Sequence, residues 1–173
     1  MSFRRRTSAV ILAGAITGVV SGLALGVIWW QLAPRVPLVV RSGNALPLDY
    51  QPDGFLAADV SYALLALLAG ISVTIGLLVM RREHPISVLV GGLLAGAIGS
   101  VLMWFVGTHL GSVDIAGLVA TTADETVVEA PLKVTMPALL LLWPIAATLV
   151  IVVVTFTDWW AERKARTGIE ADI

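Results

Sequence analysis

The sequence contains no cysteine and only two histidines among its 173 residues. The absence of cysteine excludes disulfides, thiolate nucleophiles, iron–sulfur clusters and cysteine-ligated zinc. Charge is also scarce, because 13% of the residues are charged, whereas about a quarter are charged in a typical soluble domain. The net charge of −1 leaves no basic surface of the kind that neutralises phosphates. Nucleic acid is therefore not expected as a partner.

The residues that remain are strongly apolar, at 58% hydrophobic with a mean hydropathy of +0.92. A helix needs about 20 apolar residues to cross a hydrocarbon core of about 30 Å. Four stretches meet this length, at residues 7–33, 56–80, 86–108 and 134–157. Each is apolar around its whole circumference, unlike the helices of soluble domains. We predict an all-α membrane protein, a single four-helix transmembrane domain over residues 1–173 with the lipid bilayer as its first partner.

Lysine and arginine are unequally divided between the two ends of the predicted helices. Three lie in the long loops 34–55 and 109–133, and eight lie at the opposite end. The larger group comprises Arg4, Arg5, Arg6, Arg81, Arg82, Arg163, Lys164 and Arg166. Positive residues favour the cytoplasmic side of a membrane. We therefore expect a multi-pass protein of the plasma (inner) membrane with a cytoplasmic N-terminus, 81–85 turn and C-terminal tail 158–173.

Five of the six tryptophans lie near the predicted ends of the spans. Tryptophan rings favour the membrane–water interface. We therefore interpret five tryptophans as interface anchors, outer at Trp29, Trp30 and Trp104 and inner at Trp159 and Trp160.

Small residues recur at every fourth position in the first and third predicted helices. The positions are Gly14, Gly18, Gly22 and Gly26 in the first and Gly92, Gly96 and Ser100 in the third. Helices gain little from hydrophobic association in lipid, so small residues that permit close backbone contact favour helix packing, as in the GxxxG motif. We expect these two faces to pack together, within one chain or between two copies. Their shared spacing also suggests a duplicated helical hairpin.

The two long loops contain strand-like segments. Residues 36–48 form two short extended runs around a Ser-Gly-Asn turn, which is a hairpin pattern. Residues 125–135 are rich in β-branched side chains, and Pro131 restricts them to the edge of a sheet. We predict a small extracytoplasmic β element that both loops build together. Its expected role is packing, with a partner surface as the alternative.

Residues suited to chemistry are few. His84 and His109 lie at opposite ends of the predicted helices, so they cannot share a metal ion. The acids Asp124, Glu125 and Glu129 lack the spacing of a calcium loop. No nucleophile with a base, phosphate-binding loop or pair of facing carboxylates is evident. We expect no catalytic, cofactor-binding or metal-binding residue and no enzymatic activity.

Ion-coupled carriers typically have ionisable groups within the membrane. The four predicted spans contain none when the second span is counted from Val60. Pro144 is expected to kink the fourth helix and leave one carbonyl without its helical partner.

The stretch from Ala57 to Gly111 resembles the central helical hairpin of actinobacterial four-span membrane proteins that form a domain-of-unknown-function family. The Arg81-Arg82 turn with Pro85, the upstream VVRSGNA hairpin and the later VVEAPL segment are also similar. The resemblance implies four helices and a plasma-membrane location. It implies no activity and no catalytic residues.

These observations favour a non-enzymatic accessory or scaffolding subunit of the bacterial cell envelope, bound to a larger membrane protein or to itself. The alternative is a small oligomeric transporter or channel component whose pore is lined by Ser and Thr positions and the Pro144 bend. A membrane enzyme that uses His109, Asp114 and the loop carboxylates ranks third.

Overall fold

A computed structural model describes residues 2–48, 53–81 and 85–171, with side chains within 8–48, 53–80 and 86–166. The long helices are α1 (Ser2–Leu32), α2 (Asp53–Arg81), α3 (Pro85–Leu110) and α5 (Leu142–Ala171), and a short helix α4 covers Ile115–Thr121. Within these residues, four helical segments are long and apolar enough to cross a membrane. The prediction of an all-α, four-span membrane protein is confirmed.

Helix α3 is the centre of the bundle, because it contacts α1, α2 and α5. Its contact with α1 is the most extensive in the protein. Gly14, Gly18 and Gly22 of α1 meet successively later residues of α3, so the two helices run parallel. Helix α3 must therefore pack closely against other helices on more than one of its faces.

The α1–α3 contact is a seam of backbone against backbone. A Cβ atom added at Gly18 would lie 2.6 Å from the Ala95 carbonyl oxygen, and one added at Gly22 would lie 2.6 Å from the Gly99 oxygen. Gly14 meets Gly91 in the same way. Small residues on both helices, with glycine on the α1 side, allow helices to approach so closely in lipid.

The prediction of which α3 residues face α1 is wrong by one position. The face consists of Gly91, Ala95 and Gly99. Gly92 and Gly96 instead face α5, since a Cβ at Gly96 would lie 2.8 Å from the Pro144 nitrogen and one at Gly92 would lie 3.5 Å from the Ala147 Cβ. One residue turns a helix by about 100°. Helix α3 therefore has two adjacent small-residue faces, one for α1 and one for α5.

The long connections meet in one antiparallel sheet. Strands β1 (Pro37–Arg41), β2 (Asn44–Pro47) and β3 (Val127–Glu129) lie in the order β2-β1-β3. Ser42 and Gly43 connect β1 to β2 with φ angles of 50° and 75°. Two positive φ values in a two-residue loop define a type I′ turn, which suits the twist of a hairpin. The predicted β element built from both loops is confirmed.

One face of the sheet packs towards the helices. Val36, Leu38 and Ala130 are buried there against Phe55 of α2 and Ile115 of α4. We call this end of the bundle, which contains both long connections, the sheet end.

The fourth span begins later than predicted. Residues 134–136 are not helical, a 3₁₀ turn covers Pro137–Leu141, and α5 begins at Leu142. Pro144 therefore lies in the first turn of α5 and does not kink the middle of a helix. The first turn of an α-helix tolerates proline because the missing N–H has no partner within that helix.

Gly22→Ala tests the seam. The added methyl would meet the Gly99 carbonyl oxygen at 2.6 Å and the Gly99 Cα at 2.7 Å, so we expect a loss of about 1–3 kcal/mol of unfolding free energy, as in other overpacked cores. Unfolding of the purified chain in mild detergent measures the effect. The matched control is Gly76→Ala in α2, where nothing lies within 4 Å of the added Cβ. An equal destabilisation by both variants would contradict the assignment of the seam.

Candidate functional site at the sheet end

A chain of buried hydrogen bonds connects three elements. The Tyr62 hydroxyl of α2 lies 2.8 Å from Ser100 Oγ and 2.9 Å from the Ser100 carbonyl oxygen of α3. Ser100 Oγ donates to the Leu140 carbonyl oxygen at 2.7 Å. Because the one hydroxyl hydrogen of Ser100 is used in that bond, Tyr62 is the donor towards Ser100. We call Tyr62, Ser100 and the Leu140 carbonyl the polar chain.

Pro144 explains why the Leu140 carbonyl is available. In a continuous α-helix this oxygen would accept the N–H of the residue four positions later, and Pro144 has none. The Ser100 hydroxyl takes the place of that N–H. The predicted free carbonyl is thus present, and a neighbouring helix satisfies it.

Trp29 extends the contact to α1, and its predicted role as an interface anchor is wrong. Its side chain is fully buried, and its ring packs edge-on against Tyr62 with centroids 5.2 Å apart. The indole N–H lies 3.2 Å from the Ala58 carbonyl oxygen and from Ser61 Oγ. Gly107 of α3 leaves room for the ring. An indole can be buried when its N–H finds an acceptor in this way.

The other predicted anchors lie closer to the surface. Trp30 is half-buried, and Trp104, Trp159 and Trp160 are exposed. Trp159 and Trp160 stack with cations one turn later, at 5.3 Å from Arg163 and 5.6 Å from Lys164. Arg82 and His84 lie outside the described residues, as do the side chains of Arg4, Arg5, Arg6 and Arg81.

Asp59 is a buried carboxylate inside α2, so the second span has no ionisable residue only when it is counted from Val60. Asp59 is 2% exposed and accepts hydrogen bonds from the backbone N–H of Thr135, at 3.0 Å, and from the Thr135 hydroxyl. These bonds hold residues 134–136 against α2, which accounts for the late start of the fourth span. The position of Asp59 near the start of an apolar run is the only sequence signal of this role.

Two ion pairs lie on the strands and their flanks. Arg35 Nη1 meets Glu129 Oε2 at 3.0 Å, with side chains 25% and 66% exposed. Arg41 Nε meets Glu125 Oε1 at 3.7 Å, with both side chains largely exposed. The first pair is the closer and the more enclosed. Asp114 caps α4 by accepting from the Gly117 N–H at 3.1 Å, and the His109 ring stacks on Phe105 with centroids 5.1 Å apart.

The Arg35–Glu129 pair forms part of the wall of a cavity of about 460 Å³ at the end of α1. The cavity, which we call the α1-end pocket, is lined by Trp30, Gln31, Ala33, Arg35 and Glu129. Trp30 is the aromatic residue of this lining, and its Nε1 is buried without an acceptor.

A second cavity, of about 300 Å³, lies between α3 and α5 and is lined by Leu93, Leu141, Pro144, Ile145, Thr148 and Leu149. Its hydroxyl, that of Thr148, donates to the Pro144 carbonyl oxygen at 2.9 Å. This groove is therefore apolar in character.

Comparison with protein-family profiles, curated proteins and solved structures gives no match to this chain. The resemblance to actinobacterial four-span membrane proteins stays a prediction. Within the described residues, no three His, Asp or Glu side chains are grouped to hold a metal ion. At the sheet end, the polar chain and Trp29 connect the four long helices. The Arg35–Glu129 pair places two opposite charges at the end of α1.

Ser100→Ala tests the polar chain. The substitution leaves the part-buried Leu140 carbonyl without its donor, so we expect a loss of about 1–3 kcal/mol of unfolding free energy. Thermal unfolding in detergent measures it. The control is Ser112→Ala, whose exposed hydroxyl bonds to the nearby His109 carbonyl and should change stability by less than about 0.5 kcal/mol. A Ser100→Ala protein as stable as the wild type would show that the polar chain does not join the helices energetically.

Proposed function

We propose that this chain is a non-enzymatic accessory or scaffolding subunit of the bacterial cell envelope that binds a larger membrane protein. The observation that supports the proposal best is that large side chains fill the interior of the bundle. Trp29, Tyr62, Met103 and Trp143 are fully buried and fill the centre of the sheet end. These large side chains fill the interior closely, so contact with other molecules is left to the outer surfaces.

The sheet provides such a surface. Val39 lies between Leu46 on one neighbouring strand and Val127 on the other, in the same row of the sheet. Alternation along β1 turns Val39 away from the packed face that contains Leu38. Leu46 and Val127 are 50% and 53% exposed, whereas Val39 between them is 7% exposed. Two exposed apolar side chains, each beside an ion pair, are what this part of the sheet offers to a protein partner.

The proposal includes a location in the plasma membrane with the sheet outside and both termini in the cytoplasm. The unequal division of lysine and arginine supports this orientation, with eight at the termini end and three at the sheet end.

Site-specific photo-crosslinking tests the partner. A photoreactive residue at Val127 is expected to give one stoichiometric adduct with a larger membrane protein, which also co-purifies in mild detergent. The same residue at Val153, an exposed apolar position on α5, controls for collisions within the bilayer. A homogeneous self-oligomer that encloses a water-filled axial pore would overturn the proposal in favour of the transporter or channel alternative.

Reporter fusions test the orientation. A fusion after His84 places the reporter in the connection between α2 and α3, and a fusion after Gly43 places it in the β1–β2 turn. We expect cytoplasmic reporter activity from the first and extracytoplasmic activity from the second. The reverse pattern would overturn the orientation and would leave the partner proposal to be judged by crosslinking alone.

A further inference from the structure

The α1-end pocket combines opposite charges at the boundary of a membrane span. The apolar part of α1 ends at Leu32, and the pocket is built from the residues on either side of that point. Its depth in the bilayer is therefore that of the lipid headgroups, whichever side of the membrane the sheet occupies.

Arg35 gives the pocket a directional anion-binding group. Its side chain is 25% exposed, and Nη1 is engaged by Glu129 at 3.0 Å. A guanidinium has five N–H donors, so this single bond leaves donors for a further acceptor. Arginine binds phosphate oxygens through such parallel donors better than lysine does.

Glu129 and Trp30 give the pocket a preference for a cation beside that anion. The Glu129 side chain is 66% exposed, so its carboxylate is accessible although one oxygen meets Arg35. Trp30 also lines the pocket, and indole rings attract ammonium groups. Formal charges of the lining cancel, since Arg35 and Glu129 are its only charged members. A ligand with one negative and one positive group matches this lining, whereas a purely anionic ligand meets the Glu129 carboxylate.

We propose that the α1-end pocket binds the headgroup of a zwitterionic phospholipid, with the phosphodiester at Arg35 and the ammonium group at Glu129 and Trp30. The lipid's acyl chains continue along the exposed apolar surface of α1, which includes Leu32, Ile28 and Val27. The site lies within one chain, so it stands independently of the proposed partner protein.

The test compares two phospholipids with identical acyl chains, phosphatidylethanolamine and phosphatidylglycerol, added to the delipidated full chain in mild detergent. Both contain a phosphodiester, and only the first contains an ammonium group. Native mass spectrometry and thermal unfolding report binding. We expect about tenfold tighter binding of phosphatidylethanolamine, the factor that corresponds to one charge-assisted hydrogen bond of about 1.4 kcal/mol.

Variants locate the site. Arg35→Gln and Glu129→Gln are each expected to reduce the preference for phosphatidylethanolamine to near unity. The matched controls are Arg41→Gln and Glu125→Gln, which break the other ion pair of the same sheet and should keep the preference. Should an Arg35 or Glu129 variant fail to fold, the lipid comparison on the wild-type chain still decides.

Three results would overturn the proposal. Equal binding of the two lipids would show that only the acyl chains matter. Loss of the preference in the Arg41 and Glu125 controls would place the effect elsewhere in the sheet. Equal stabilisation by soluble phosphoethanolamine without lipid would identify a soluble zwitterion as the occupant.

Discussion

Helix α3 contacts three other helices at once, and the distance of closest approach on two of its faces determines the rest of the bundle. In lipid, association of helices depends on close packing and polar contacts, because the solvent is as apolar as the side chains. Gly91, Ala95 and Gly99 admit α1, while Gly92 and Gly96 admit the start of α5. With larger residues on either face, α3 could serve only one of these neighbours.

The close approach on these faces also brings the polar groups within reach of each other. Ser100 reaches the Leu140 carbonyl because α5 begins directly against Gly96. Trp29 reaches Tyr62 because Gly26 and Gly107 let α1 lie on α3. Hydrogen bonds between transmembrane helices add modest stability each, and here they fix the helical register that small residues alone would leave free to slide. Packing and polar contacts are thus two parts of one arrangement.

Features set by local sequence patterns could be predicted, whereas features set by contacts between distant residues could not. The apolar runs and the Ser-Gly-Asn turn are local patterns, and the four helices and the hairpin agree with them. The face of α3 that contacts α1 could not be identified from the sequence, because two overlapping series of small residues are equally suited to close packing. Trp29 and Trp30 are likewise adjacent, and only the position of α2 decides which ring is buried. Asp59 and Thr135 lie 76 positions apart, so the delayed start of the fourth span had no local signal.

The order of the strands has a consequence for membrane insertion. Val39 pairs with Val127, and the segment between them includes α2 and α3. Two strands on opposite sides of a bilayer cannot share hydrogen bonds, so the segment between them must cross an even number of times. If only one of α2 and α3 inserted, β3 would be left across the membrane from β1. The sheet therefore cannot close while only one of the two helices has crossed, so its closure requires that α2 and α3 have both crossed or that neither has.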